Sequence, residues 1–194
     1  MRADFAIELG ADDETLEMPW AAEDGGLRYY DLKRHPELLS KLEEAAQAPE
    51  LGEFLSKVNS PQSPLETAKC DVWSTTEINP EEEIFEATHK FGSYVDLFFS
   101  DEAKRFSFPQ HEQLATHLTK LLQRAPDMPV AAEFLIRRCY YHEQEEAPGE
   151  EEIRDGFYIT FYLFGYGDDE ERSRQNWVIG LKLVRNAIRQ LSAK

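Results

Sequence analysis

Three features of the chain predict an α+β fold built on a twisted antiparallel sheet. The run "DGFYITFYLFGYG" (155–167) carries aromatic and aliphatic residues at both parities, so as a strand it is apolar on both faces. Trp177, Leu181, Val184, Ile188 and Leu191 recur at four-three spacing over 169–192, the stripe of a helix lying on a sheet. From position 67 onward the order strand, strand, helix occurs twice. Hairpin-joined strands with two long helices form two layers, with both helices on one face.

The elements follow in chain order. "DFAIEL" (4–9) places Phe5, Ile7 and Leu9 on one side and reads as a short strand. "LRYYDL" (27–32) reads as a second, pairing with the first as a hairpin across an acidic Gly-Gly loop. "HPELLSKLEEAAQ" opens a helix with Pro36 in its first turn and Leu38, Leu39, Leu42, Ala45 and Ala46 at a 3.6 period. Pro49 interrupts it, and a further helical stretch turns Leu51, Phe54, Leu55 and Val58 inward. The two prolines of "SPQSPLE" (60–66) mark a boundary.

The chain therefore reads as a single domain, 1–194. It comprises an N-terminal strand/helix segment (1–60) and two strand-strand-helix units (67–126 and 129–194). The first unit has strands at 69–78 and 93–99 and a helix at 109–125 bearing Leu114, Leu118, Leu121 and Leu122. The second has strands at 130–143 and from 157, then the helix at 169–192. Gly92 and Gly156 each stand one residue before the second strand of their unit, and the acidic runs 81–83 and 143–152 are loops.

Composition narrows the function classes. A net charge of −17 over 194 residues sets most of the surface against nucleic acid and anionic lipid. All 38 acidic residues precede position 172, while six of the 21 basic ones lie from Arg172 onward. That basic stripe is expected to pair internally. No run approaches ~18 apolar residues, and the opening "MRADFAIELGADDE" lacks the pattern of a signal peptide; the expected location is cytoplasmic, with no membrane partner. Cys70 and Cys139 have no CxxC spacing and read as reduced, buried thiols.

No P-loop, GxGxxG, GxSxG or HExxH occurs. His111 and His117 are six apart, which turns them to different sides of a helix, and the acidic runs lack the ligand pattern of a calcium loop. No cofactor and no metal is predicted. Asp96, between Tyr94 and Phe98, is the one acid set among aromatic residues in a strand core. One of Arg137 and Arg138 must share its face if the strands are neighbours. The candidate surface is Asp96, Arg138, Tyr94, Tyr158, Tyr162 and Trp73. This face is too apolar to be left fully wet; the N-terminal 60 residues, a second copy, or a ligand or partner groove could shield it.

The element order over 36–192 resembles that of secretion-chaperone-like proteins, and the paired halves resemble ferredoxin-like duplications. The first resemblance implies a domain that pairs to bind an unfolded stretch of another protein. The expectation is a non-catalytic protein-binding or chaperone-like interaction module, acting on a protein partner or as a homodimer. The alternative is a small cofactor-independent enzyme or small-ligand binder using the polar-aromatic pocket. An aromatic surface without an enclosed polar pocket favours the first. A deep concavity holding a perturbed titratable group favours the second.

Overall fold

A computed structural model describes residues 1–22, 28–78, 85–144 and 151–191. The acidic run 81–83, most of 143–152 and the Gly-Gly stretch before position 28 lie outside the described residues.

Two long hairpins form the centre of the sheet. β3 (Leu65–Thr75) pairs antiparallel with β4 (His89–Phe99), and β5 (Val130–Gln144) with β6 (Glu151–Gly167). β4 and β6 are themselves antiparallel neighbours. The N-terminal strands β1 (Arg2–Glu8) and β2 (Thr15–Met18) complete six strands in the order β1-β5-β6-β4-β3, with β2 also on β5. The second strand of each unit starts earlier than its glycine, so Gly92 and Gly156 lie inside β4 and β6. At Gly92 a Cβ would stand 2.7 Å from the Trp73 indole, so the missing side chain seats that ring on the sheet.

The sheet is mixed rather than wholly antiparallel. β1 and β2 run parallel to β5 end to end, along residues 131–137 and 138–141. The expected hairpin between 4–9 and 27–32 does not form; Arg28 makes only an isolated bridge to Ala21. The 15-residue β5 offers one long free edge, and both short strands are used to satisfy it.

One face of the sheet carries the main core. α4 (Phe108–Leu122) and α5 (Glu170–Leu191) pack there through Leu114, Leu118, Trp177, Leu181 and Val184. Asp169 caps α5 through the Arg172 N–H at 2.7 Å. Trp177 is fully buried and its Nε1 donates to Ser93 Oγ at 2.8 Å. Gly165 lets the backbone of α5 approach β6 at Ser173 and Trp177, where a Cβ could not fit. The short α3 (Glu102–Arg105) follows β4.

The N-terminal helices join this same face instead of crossing to the other. A 3-10 stretch (Pro36–Lys41) replaces the expected opening α-helix, because Leu42 is extended (φ −80°, ψ 119°). α1 (Glu43–Gln47) and α2 (Pro49–Val58) follow, and Leu51, Phe54, Leu55 and Val58 enter the core with Phe161 and Trp177. Two ion pairs dock α2 on α5: Arg174–Glu50 at 3.0 Å and Arg185–Glu53 at 2.5 Å. Part of the C-terminal basic stripe is thus spent internally, as its position predicts.

The second face has a smaller core of its own. Leu16 and Met18 of β2, with Trp20 and Tyr29, pack over Phe98, Cys139, Tyr141 and Tyr158. Among the described residues this cover comes from Leu16, Met18, Trp20 and Tyr29, with Ala68 and Phe106 packed against it, while Leu42, Glu43 and Glu44 of the helical segment line a cleft beside Tyr94. At the opposite end Phe85 lies 5.0 Å from the Tyr166 ring, and Tyr166 is buried. Among the described residues no helix is long and apolar enough to cross a membrane.

Candidate functional site

Between those two covers the second face stays half open. Strand register arranges it in transverse rows. One row reads Asp4, Glu133, Tyr162, Tyr94, Asp71 across β1, β5, β6, β4 and β3. The next reads Ala131, Phe164, Gly92, Trp73 across β5, β6, β4 and β3. Trp73, Tyr94, Tyr162 and Phe164 are each half-buried. Their rings are in contact: Trp73–Phe164 at 6.1 Å, Phe164–Tyr162 at 6.1 Å and Tyr162–Tyr94 at 5.9 Å. Lys90 Nζ stands 5.1 Å from the Phe164 ring centroid, a cation on an aromatic face.

The third row sets Asp96 against Thr160 and Leu135. Asp96 is 2% exposed, and the Thr160 hydroxyl donates to its Oδ1 at 2.8 Å. The pairs Thr67–Leu97 and Cys70–Val95 leave Ala68 and Lys69 together opposite Asp96, a β-bulge in the edge strand. Burial pushes the Asp96 carboxyl from 3.8 up to about 7; the Thr160 bond opposes this, Glu14 adds to it, and Lys69 and Arg137 oppose it. Tyr158 is fully buried beside this row; among the described residues its hydroxyl makes no well-formed hydrogen bond, with Thr160 the side chain that interacts with it.

Arg137, not Arg138, belongs to this face. Its Nε and Nη2 each meet Glu8 Oε2 at 2.8 Å, and Nη1 donates to Glu14 Oε2 at 2.8 Å and to Thr160 Oγ1 at 3.3 Å. Thr160 therefore links Asp96 to Arg137. Arg138 has the opposite parity, pairs with Phe157, is exposed, and donates Nε to the Leu9 carbonyl at 3.2 Å. The other five predicted residues (Asp96, Tyr94, Tyr158, Tyr162 and Trp73) do share one face.

Asp4, Glu133 and Lys69 are the residues that sequence reasoning missed. Glu133 stands four before Arg137 on the same strand, so it shares that face, and this parity was the available signal. The Glu133 carboxyl is pushed up by burial and by the neighbouring Glu8 and Asp4.

A cleft of about 550 Å³ adjoins the open rings, lined by Trp20, Tyr30, Lys69, Cys70, Asp71 and Tyr94. Neither Asp96 nor Arg137 lines it. A second cleft of about 560 Å³ lies far from them in the fold, against α4 with Phe99, His117 and Lys120. His111 is a packed core residue, its Nδ1 2.9 Å from the Ser107 carbonyl and its ring 4.9 Å from Phe99; burial lowers its pKa. Among the described residues no three His, Cys, Asp or Glu side chains are grouped to hold a metal ion. No family model, curated protein or solved structure matches this chain.

Proposed function

We propose that this chain is a non-catalytic protein-binding module whose working surface is the half-open aromatic patch of Trp73, Phe164, Tyr162 and Tyr94. The observation that carries the reading is the contiguity of these four rings between two self-made covers. Large rigid side chains in a connected patch supply binding energy at low entropic cost, and the adjoining 550 Å³ cleft gives a partner's side chain somewhere to anchor. The paired strand-strand-helix arrangement, secretion-chaperone-like or ferredoxin-like in its element order, is the single-domain scaffold for that surface. The net charge of −17 argues against nucleic acid as the partner.

One observation favours a second reading, a small-ligand binder or cofactor-independent enzyme at Asp96: a carboxyl whose pKa burial raises to about 7, beside a buried tyrosine hydroxyl with no well-formed hydrogen bond among the described residues. Its burial beneath the sheet face weighs against that, since a catalytic acid must reach its substrate.

Panning a random peptide library against the wild-type chain and Tyr162→Ala tests the first reading. Peptides enriched on the wild type should lose binding to the variant. Equal binding to both overturns the aromatic patch as the surface.

A further inference from the structure

The row through the two open tyrosines is acidic at both ends. Glu133 is the cross-strand partner of Tyr162 and Asp71 that of Tyr94, with Asp4 beyond Glu133. All three acids are exposed. Asp4 and Asp71 each spend one oxygen on the next residue's N–H, at 2.8 and 2.7 Å. Asp4, Glu8 and Glu133 crowd one another, and Arg137 is already clamped between Glu8 and Glu14. Arg2, Lys69 and Lys90 stand in neighbouring positions, but along the tyrosine row itself an apolar centre is flanked by like charges, which is complementary to one kind of surface.

Resting on the binding reading above, we infer that the partner is a polypeptide segment with an apolar or aromatic centre flanked on both sides by lysine or arginine. Neighbouring strands are about 4.8 Å apart, so Glu133 and Asp71, three strands apart, lie roughly 14 Å from each other. An extended segment laid across the strands spans that distance in about four residues, at roughly 3.3 Å each. The cations therefore belong four to five positions apart, with the residues between them on Tyr162 and Tyr94. A second copy of this chain is a poor occupant, because it would bring a net charge of −17 and the same acidic row.

Labelled acetyl-KLFLK-amide, acetyl-QLFLQ-amide and acetyl-ELFLE-amide, titrated by fluorescence anisotropy in low and in high salt, test this. The variants are Asp71→Asn with Glu133→Gln, both at exposed positions, and Tyr162→Ala. The lysine peptide should bind the wild type about tenfold tighter than the glutamine peptide at low salt. High salt should erase that advantage, and so should the Asn/Gln double variant. If the lysine advantage survives in the double variant, it comes from the overall charge and the inference is overturned. Equal binding of the lysine and glutamine peptides, both lost in Tyr162→Ala, overturns the inference and leaves the binding reading standing. Failure of all three peptides to bind overturns both.

Discussion

Replacing Asp96 by Asn isolates one costly buried carboxyl on the sheet. The carboxyl is 2% exposed, and its bond from Thr160 and the attraction of Lys69 and Arg137 do not offset burial, which lifts it to about 7. In the unfolded chain it ionises near 3.8. Between those values the folded protein holds a proton that the unfolded chain has released. Stability from this group is therefore greatest below the lower value, falls as pH rises toward 7, and is flat above it. At about 1.4 kcal/mol per pH unit the gap amounts to a ceiling of about 4 kcal/mol at pH 8. Asn has the same shape and can accept from Thr160, but its amide N–H groups need new partners, a cost of about 1 kcal/mol or more. Asp96→Asn should gain about 2–3 kcal/mol at pH 8 and little or nothing at pH 4.5. Urea melts of both proteins at the two pH values read this directly, as a midpoint shift of about 1 M at pH 8. Parallel pH profiles for wild type and variant would refute the reasoning. So would a less stable variant at pH 8, which would mean that the charged form is the one the fold requires.

Three further perturbations probe the same face. Tyr158→Phe removes a buried hydroxyl that makes no well-formed hydrogen bond among the described residues, so calorimetry should show a change within about 1 kcal/mol or a gain; a loss above about 2 kcal/mol would show that its contact with Thr160 is a full hydrogen bond. Gly92→Ala puts a methyl 2.7 Å from the Trp73 ring, so the indole must swing off the sheet. The part of the emission that Trp73→Phe removes should move to longer wavelength, and an unchanged spectrum would contradict the packing. Burial pushes the thiols of Cys70 and Cys139 up to about 12, so both should resist a thiol reagent at pH 8 until urea unfolds the chain. Rapid labelling of Cys139 in the native protein would show that the cover from Leu16 and Met18 opens readily.

How much of this was legible depends on whether a feature is local. The two-sided apolar strand and the stripe of α5 were visible because alternation and 3.6 periodicity are written in neighbouring residues. Which arginine shares a face with Asp96 was not. "IRRC" offers both parities, and the choice is made by register from Asp96 to Thr160 to Leu135, two strand pairings away. The bulge at Ala68 and Lys69 is equally silent, since nothing around it breaks the pattern. Parallel pairing of β1 and β2 with β5 carries no turn signature, so the sequence favoured a hairpin that does not exist. The stripe on α2 announced an amphipathic helix but not a side. Burial of Leu51, Phe54, Leu55 and Val58 in the main core sets that side, and Glu50 and Glu53 there meet Arg174 and Arg185 of α5.

The edges of the sheet bear on why its face is the surface to consider. A bare edge strand is a template for another chain, and proteins commonly blunt it. β1 and β3, two of the three strands with an outer edge, do so here in the same way. The Phe5 N–H on β1 donates to Asp4 Oδ1 at 2.8 Å, and the Val72 N–H on β3 donates to Asp71 Oδ1 at 2.7 Å. A strand adding at either edge would have to displace a carboxylate from an amide and face its charge. Further along β3, Asn59 Oδ1 accepts from the Thr67 N–H at 3.1 Å, and Lys33 Nζ donates to the Leu65 carbonyl at 3.3 Å. Main-chain addition is therefore opposed along β1 and β3, which supports side-chain contact with the open rings as the mode of the binding proposed above. The aspartates that guard the edges are also the outermost acids of the tyrosine row, so a cation drawn to that row meets the groups that keep a strand away.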